Sequence, residues 1–300
     1  MTGPATSEFL DLKALATLQH MRFATRHRIE GSYSGKHRSR QQGGAGEFVD
    51  YREYSPGEDL RRLDWKVLGR TGRTYLRLYQ DETNLLCTLA IDASGSMLFG
   101  NSVRGGSKLE YAQFLATALS QIISRAQDQV GVAVLSGQLS EFAPPGASQI
   151  HVLRVQEIIE QIATRPTVLM AGALRELFQR TTRRGVLLLM SDFLMEDLEA
   201  VFAAVRLFRH RQSEVIVLHL VHPDEERLPE GAAFRFDGLE NEGIVDCSPT
   251  EIRAVYEQRF QGHLAAVRKL ALAGGCDYRR VSTAVPYLQT LGQFLVERAG

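Results

Sequence analysis

The sequence predicts an α/β fold, a doubly wound and mainly parallel sheet flanked by helices. Three observations predict it. Four short apolar runs, Leu85–Ile91, Val130–Leu135, Val186–Met190 and Val215–Val221, have the length and apolar continuity of strands buried on both faces. Stretches with helical spacing separate them, the alternation expected of a sheet covered on two sides. Finally, 300 residues with 44% hydrophobic and 23% charged content are enough to bury a large core.

The elements follow in order. Residues 8–29 carry Phe9, Leu12, Leu15, Leu18 and Met21 at intervals near three, which predicts a helix. Residues 31–44 are glycine-rich, basic and aperiodic, so they read as a loop. A polar-aromatic stretch, residues 47–59, contains a turn at Pro56-Gly57, and Thr74–Tyr79 alternates as a strand does. The strand Leu85–Ile91 comes next, then a helix over Lys108–Ala126 with Leu109, Tyr111, Leu115, Leu119 and Ile122 on its apolar stripe. Val130–Leu135 is a strand, with Gln138–Phe142 returning antiparallel to it. Helices over Ile150–Ile162 and Ala171–Thr181 precede the strand Val186–Met190, and a helix over Leu198–Arg209 precedes the strand Val215–Val221. Residues 222–248 break the rhythm: Phe234-Arg235-Phe236 and Gly243-Ile244-Val245 predict a small inserted hairpin. A helix over Pro249–Leu272, a strand over Asp277–Ser282 and a helix over Pro286–Arg298 complete the chain. The expected organisation is an N-terminal region, 1–82, and a core domain, 83–300.

Charge and cysteine content narrow the function classes. Lys plus Arg and Asp plus Glu both number 35, so no net charge draws the whole protein to nucleic acid. From Arg22 to Tyr79, 13 basic residues face 7 acidic ones, either as a basic arm for an acidic partner or headgroups, or as a solvated segment with local pairing. Cys87, Cys247 and Cys276 have no metal or redox spacing, which suits a reducing cytoplasm. No signal peptide and no run of about 18 apolar residues is expected.

Chemistry concentrates at Asp92-Ala93-Ser94-Gly95-Ser96. A carboxylate and two hydroxyls alternate just past a buried strand, where ligands collect in doubly wound sheets. Asp192 ends a second strand. Thr164 and Thr167 lie in a loop ahead of a helix, and either can supply a third hydroxyl. Such a set of hard oxygens suits Mg²⁺, or Mn²⁺ or Ca²⁺, and leaves a coordination position for an incoming carboxylate.

Asp92-x-Ser94-x-Ser96 resembles the first metal-site motif of von Willebrand factor A-type domains, and Asp192 resembles their later aspartate. Thr167 is the better match for their threonine, although Arg165-Pro166 replaces the usual glycine. The stretch 46–66, which includes Tyr51-Arg52-Glu53-Tyr54-Ser55-Pro56-Gly57 and Arg61-Arg62-Leu63-Asp64-Trp65, resembles the signature of the DUF58 family. That family has a von Willebrand A-type core and no assigned biochemical activity. The resemblance implies metal ligation by Asp92, Ser94, Ser96, Thr167 and Asp192. It also implies a MoxR-type AAA+ ATPase as partner, a role in chaperone-like or assembly work, and a location in the cytoplasm or peripheral to the inner membrane.

Read from the residues, the 46–66 segment offers Arg52, Arg61 and Arg62 as partners for Glu53, Asp59 and Asp64, with Trp65 as an apolar anchor. It is either a docking face or a structural staple. His219 and His222 read as hydrogen-bonded histidines at a strand end, and Glu225 and Glu226 as solvated. No nucleophile elbow and no phosphate loop is found. The expected function is a non-enzymatic, metal-dependent interaction module. The alternatives are a hydrolase using the same cation, which lacks an obvious general base in these loops, and a scaffold with a vestigial site.

Overall fold

The computed structural model describes residues 8–9, 15–18, 20–25, 47–55, 63–80, 85–101, 106–166, 169–195, 197–231, 233–240 and 243–299. It has two compact units, Arg28–Leu85 and a larger one joining Met1–His27 to Leu86–Gly300. The first residues therefore belong with the core and not with the segment that follows them. Leu15, Leu18 and Phe23 are buried, and Phe9 sets its ring edge-on to Phe114. The helix expected over 8–29 is broken: the described residues show a 3-10 turn at Ala16–Leu18 and no helix over 21–25. The Arg298 guanidinium explains part of this, because it takes the Ala24 carbonyl at 2.7 Å that a helix would use internally.

In the smaller unit, β1 (Glu47–Glu53) pairs antiparallel with β2 (Tyr75–Gln80). The register shifts between Phe48 and Asp50, a bulge that spoils the simple alternation by which β1 would have been recognised. Between them lies a short helix, Trp65–Thr71. Asp64 caps it by accepting from the Lys66 and Val67 amides, and Gly72 ends it in the left-handed conformation at φ 69°. Trp65, expected as an anchor, is 64% exposed. The side chains of Arg52, Arg61 and Arg62 lie outside the described residues.

In the larger unit, β3 (Leu86–Asp92) is followed by the two-residue strands β4 (Gly100–Asn101) and β5 (Gly106–Ser107), which pair with each other. β6 (Gln129–Ser136), β7 (Gln138–Gly146), β8 (Val186–Ser191) and β9 (Glu214–Val221) come next. β10 (Phe234–Asp237) and β11 (Ile244–Cys247) form the inserted hairpin, and β12 (Asp277–Ser282) completes the set. The main sheet has six strands in the order β12-β9-β8-β3-β6-β7, all parallel except β7, which turns back on β6 as expected.

This order decides where a ligand can sit. From β3 the chain winds outward through β6 and β7, then returns to the other side of β3 and winds outward through β8, β9 and β12. The direction reverses between β3 and β8, and the crevice beyond the carboxyl ends of those two strands is the switch point of the fold. Helices Met170–Arg180, Leu198–His210 and Pro249–Ala273 pack together on one face of the sheet. Helices Lys108–Arg125, Gln149–Glu160 and Tyr287–Ala299 form the other layer. Strands covered on both faces must be apolar throughout, and every residue of β8 and β9 is buried.

Candidate metal centre at the switch point

Asp92 is the last residue of β3, and Asp192 follows the last residue of β8, so the fold sets both carboxylates at the switch point. Asp92 is fully buried. One of its oxygens accepts the Ser94 amide at 2.9 Å, which folds the chain back sharply after the strand, and the other accepts the Ser191 hydroxyl. The turn leads Ser94 and Ser96 to the same side, their hydroxyls 3.0 Å apart. The Ser94 side chain favours ionised Asp92, and the Ser96 side chain favours ionised Asp192. Asp92, Ser94 and Ser96 are thus joined by hydrogen bonds, and Asp192 directly follows Ser191, whose hydroxyl donates to Asp92.

The backbone after Asp192 is held in an unusual shape. Phe193 has φ 55°, rare for a non-glycine residue, and is fully buried and stacked on Phe202. Its amide donates to the Ser191 hydroxyl oxygen, and the Leu194 amide donates to Asp192 at 3.1 Å. A backbone held in this region persists only where the surrounding packing fixes it.

The loop expected to give a third hydroxyl does come to this edge. Ser94 and Arg165 form a parallel bridge, and the Arg165 amide donates to the Ala93 carbonyl at 3.0 Å. Half-buried Thr164 thus lies beside the Asp92 turn. Thr167 is outside the described residues.

Three residues that sequence reading did not place here sit at the site. Lys108, the first residue of its helix, is fully buried. Its ammonium donates to Asp192 at 2.6 Å and is also ion-paired with Glu225. Glu225, expected in solvent, is instead buried (6% exposed), and its other oxygen accepts the His222 amide at 2.8 Å. A lysine at a helix N-terminus opposes the helix dipole and loses hydration, so two carboxylates are needed to hold its charge there. The third newcomer is Glu240, whose carboxylate accepts the Ser96 amide at 3.1 Å. The only sequence signal for Lys108 was its place directly after Ser107, which caps the helix in a capping box with Glu110.

The charges are uneven. Burial, followed by the Asp192 charge, pushes the Asp92 carboxyl up to about 7, against the hydrogen bonds from Ser191 and Ser94. Burial also works against ionised Asp192, but the Lys108 ammonium overcomes it and holds that carboxyl low. Lys108 is raised because Asp192 and Glu225 outweigh its burial. Burial raises Glu225, with Lys108 opposing. Lys108 therefore balances Asp192, while Asp92 has serine hydroxyls and amides around it and is the carboxylate most in need of a cation.

Among the described residues, no three His, Cys, Asp or Glu side chains gather as a metal-binding group. A site here depends on serine hydroxyls. An all-oxygen set of Asp92, Ser94, Ser96 and Asp192, with Thr164 adjacent, fits a hard cation such as Mg²⁺ and not zinc. The nearby histidines stay structural: His219 bonds the Tyr278 hydroxyl at 3.0 Å, and burial lowers its imidazole to about 3. His222 accepts the Asp224 amide at 3.2 Å.

Fold and site together define a doubly wound α/β protein with an oxygen cluster at its switch point. The family described as "Protein of unknown function DUF58" matches residues 50–266, and the chain belongs to it. The uncharacterized protein Rv1480 of Mycobacterium tuberculosis is 24% identical over 297 residues, covering 96% of this chain and 90% of that one. Among solved structures, an aerotolerance-related membrane protein of Bacteroides fragilis is similar, with 21% identity, a TM-score of 0.46, and coverage of 70% of this chain and 98% of that one. The SpRpn10 VWA domain is similar with 10% identity, a TM-score of 0.39, and coverage of 69% and 94%. Among the described residues, no helix is long and apolar enough to cross a membrane.

Proposed function

We propose that the protein is a non-enzymatic interaction module that grips an acidic side chain of a partner protein at the switch point. The observation that carries this reading is the gathering of Asp92, Ser94, Ser96 and Asp192 at that edge. Asp92, Ser94 and Ser96 would hold a Mg²⁺ or Mn²⁺ ion, with Asp192 near the ion or acting through water and Thr164 or Thr167 completing the set. When bound, the ion supplies an electrophilic position for a carboxylate from outside. The residues around it do the organising. The Ser94 amide and Ser191 hydroxyl aim Asp92, Lys108 fixes Asp192, and Phe193 locks the turn behind it.

A MoxR-type AAA+ ATPase is the partner we infer, from the family resemblance, and a place in the cytoplasm or peripheral to the inner membrane follows from such a partner. The test is capture of a purified MoxR-type ATPase by the wild-type chain and by Asp92→Ala, each with Mg²⁺ and with EDTA. Capture by the wild type that is lost with EDTA and in Asp92→Ala supports the reading. Capture indifferent to both contradicts it.

The hydrolase alternative gains one group from the structure, because Glu240 brings a carboxylate to the site that the adjacent loops do not supply. Turnover of a generic phosphodiester or ester by the wild type, lost in Asp92→Ala and in Glu240→Gln, would favour it.

A further inference from the structure

The inserted hairpin does more than interrupt the sequence. Among the described residues, β10 and β11 pair only with each other and stand outside the six-stranded sheet. It is closed by a turn in which the Gly238 amide donates to the Gly243 carbonyl at 2.8 Å, and Gly243 has φ 90°. Ile244 and Val245 on β11 are 61% and 58% exposed. Its tip, however, is seated on the Asp-x-Ser-x-Ser turn. A Cβ on Gly95 would stand 2.1 Å from the Leu239 carbonyl oxygen and 3.2 Å from the Glu240 side chain. Only glycine lets the hairpin backbone come this near. There Glu240 accepts the Ser96 amide in a charge-assisted bond.

The base of the insertion grips the same site. Glu225 holds Lys108, which holds Asp192, and the Glu225 carbonyl is tied to the Tyr256 hydroxyl at 2.8 Å. The base is thus buried and bonded through both the Glu225 carboxylate and its carbonyl, and the tip meets the turn at the Glu240 carboxylate and the Leu239 backbone.

We propose that the β10–β11 tip is an internal competitor: Glu240 occupies the place of the partner's acidic side chain, and a partner binds by displacing it. This rests on the proposed function above and specifies its ligand as an acidic residue carried on a narrow turn. Such a turn must be able to set its backbone against Gly95 as Leu239 does. A chain whose tip is down nine-tenths of the time binds about tenfold more weakly than one with the tip removed.

The test uses the hairpin itself as probe. A backbone-cyclised peptide of residues 234–246 is titrated into the wild-type chain and into a variant whose residues 239–242 are cut to a two-residue Asn-Gly turn, in Mg²⁺ and in EDTA. The proposal expects Mg²⁺-dependent binding to the shortened variant and about tenfold or more weaker binding to the wild type. It also expects no binding of a peptide carrying Glu240→Gln. Equal binding to both chains overturns it. So does absence of peptide binding to a shortened variant that still takes up Mn²⁺, and this outcome leaves the cation reading standing. Failure of both chains to bind Mn²⁺ overturns the cation reading and this proposal with it. As a check independent of the peptide, hydrogen exchange at the Ser96 amide should quicken in Glu240→Ala, and an unchanged rate contradicts the contact.

Discussion

The two ends of the main sheet each bury a cation between two carboxylates, and they do so to different effect. At the amino end, Arg298 is ion-paired with Glu214, the first residue of β9, and bonds Asp277, the first residue of β12, at 2.8 Å. Its remaining Nε donates to the Ala24 carbonyl, and its guanidinium lies over the Phe23 and Phe294 rings. Each nitrogen of that guanidinium has an acceptor, and aromatic rings cover it. At the carboxyl end, Lys108 pairs with Asp192 and Glu225. Beside that pair stand Asp92, two serine hydroxyls and Glu240, more acceptors than Lys108 can serve. The first cluster is a completed staple between the C-terminal helix and the segment at Phe23 and Ala24. The second is oversupplied with oxygens, and oversupply is what a site for an added cation requires.

Breaking each cluster should expose this difference. Arg298→Met and Lys108→Met each strip a buried pair of carboxylates of its cation, and each should cost roughly 3–5 kcal/mol in urea unfolding. Added Mg²⁺ should recover part of the loss in Lys108→Met and none in Arg298→Met. Equal recovery in both would erase the distinction. Asp92→Asn keeps the acceptor for the Ser94 amide but removes the charge. It should weaken Mn²⁺ binding beyond the roughly 10–100-fold of outer-shell changes while leaving the fold intact by circular dichroism.

Gly95→Ala should destabilise by about 1–3 kcal/mol, because its methyl meets the Leu239 carbonyl. The hairpin should become more protease-sensitive in consequence. Away from both clusters, burial pushes the Tyr111 phenol up to about 12, and its hydroxyl bonds Thr290 and the Val285 carbonyl. A phenol raised on folding favours the folded state fully below its unfolded value of 10.0, and that stability is lost as pH rises toward 12. Tyr111→Phe should flatten this alkaline limb. The smallest effect is in thiol labelling: half-buried Cys247 should react first, and Cys87, buried and with its thiol raised by burial, last.

The sequence was informative where local pattern and tertiary role coincide. Asp92 and Asp192 could be placed because each closes an apolar run, and the carboxyl ends of neighbouring parallel strands must lie on one edge. The antiparallel return of β7 and the inserted hairpin followed from short-range spacing in the same way. Lys108 and Glu225 could not be read so. A lysine at the start of an amphipathic helix and a glutamate after a strand look solvated until the fold buries them together, 117 positions apart. Glu240 reaches Ser96 across 144 positions, a contact no local pattern encodes. β1 was missed because its bulge breaks the alternation, and the helix at Trp65–Thr71 because it is only seven residues long. The choice between Thr164 and Thr167 could not be read from spacing, and the bridge from Ser94 to Arg165 sets the Thr164 end of that loop against the Asp92 turn.

The most direct measurement is Mn²⁺ binding to the wild-type chain and to Asp92→Ala, followed by the paramagnetic resonance signal of the free ion. The account predicts one saturable site per chain in the wild type, competed by Mg²⁺ and absent in Asp92→Ala. No saturable site in the wild type, or an equal one in the variant, would contradict it.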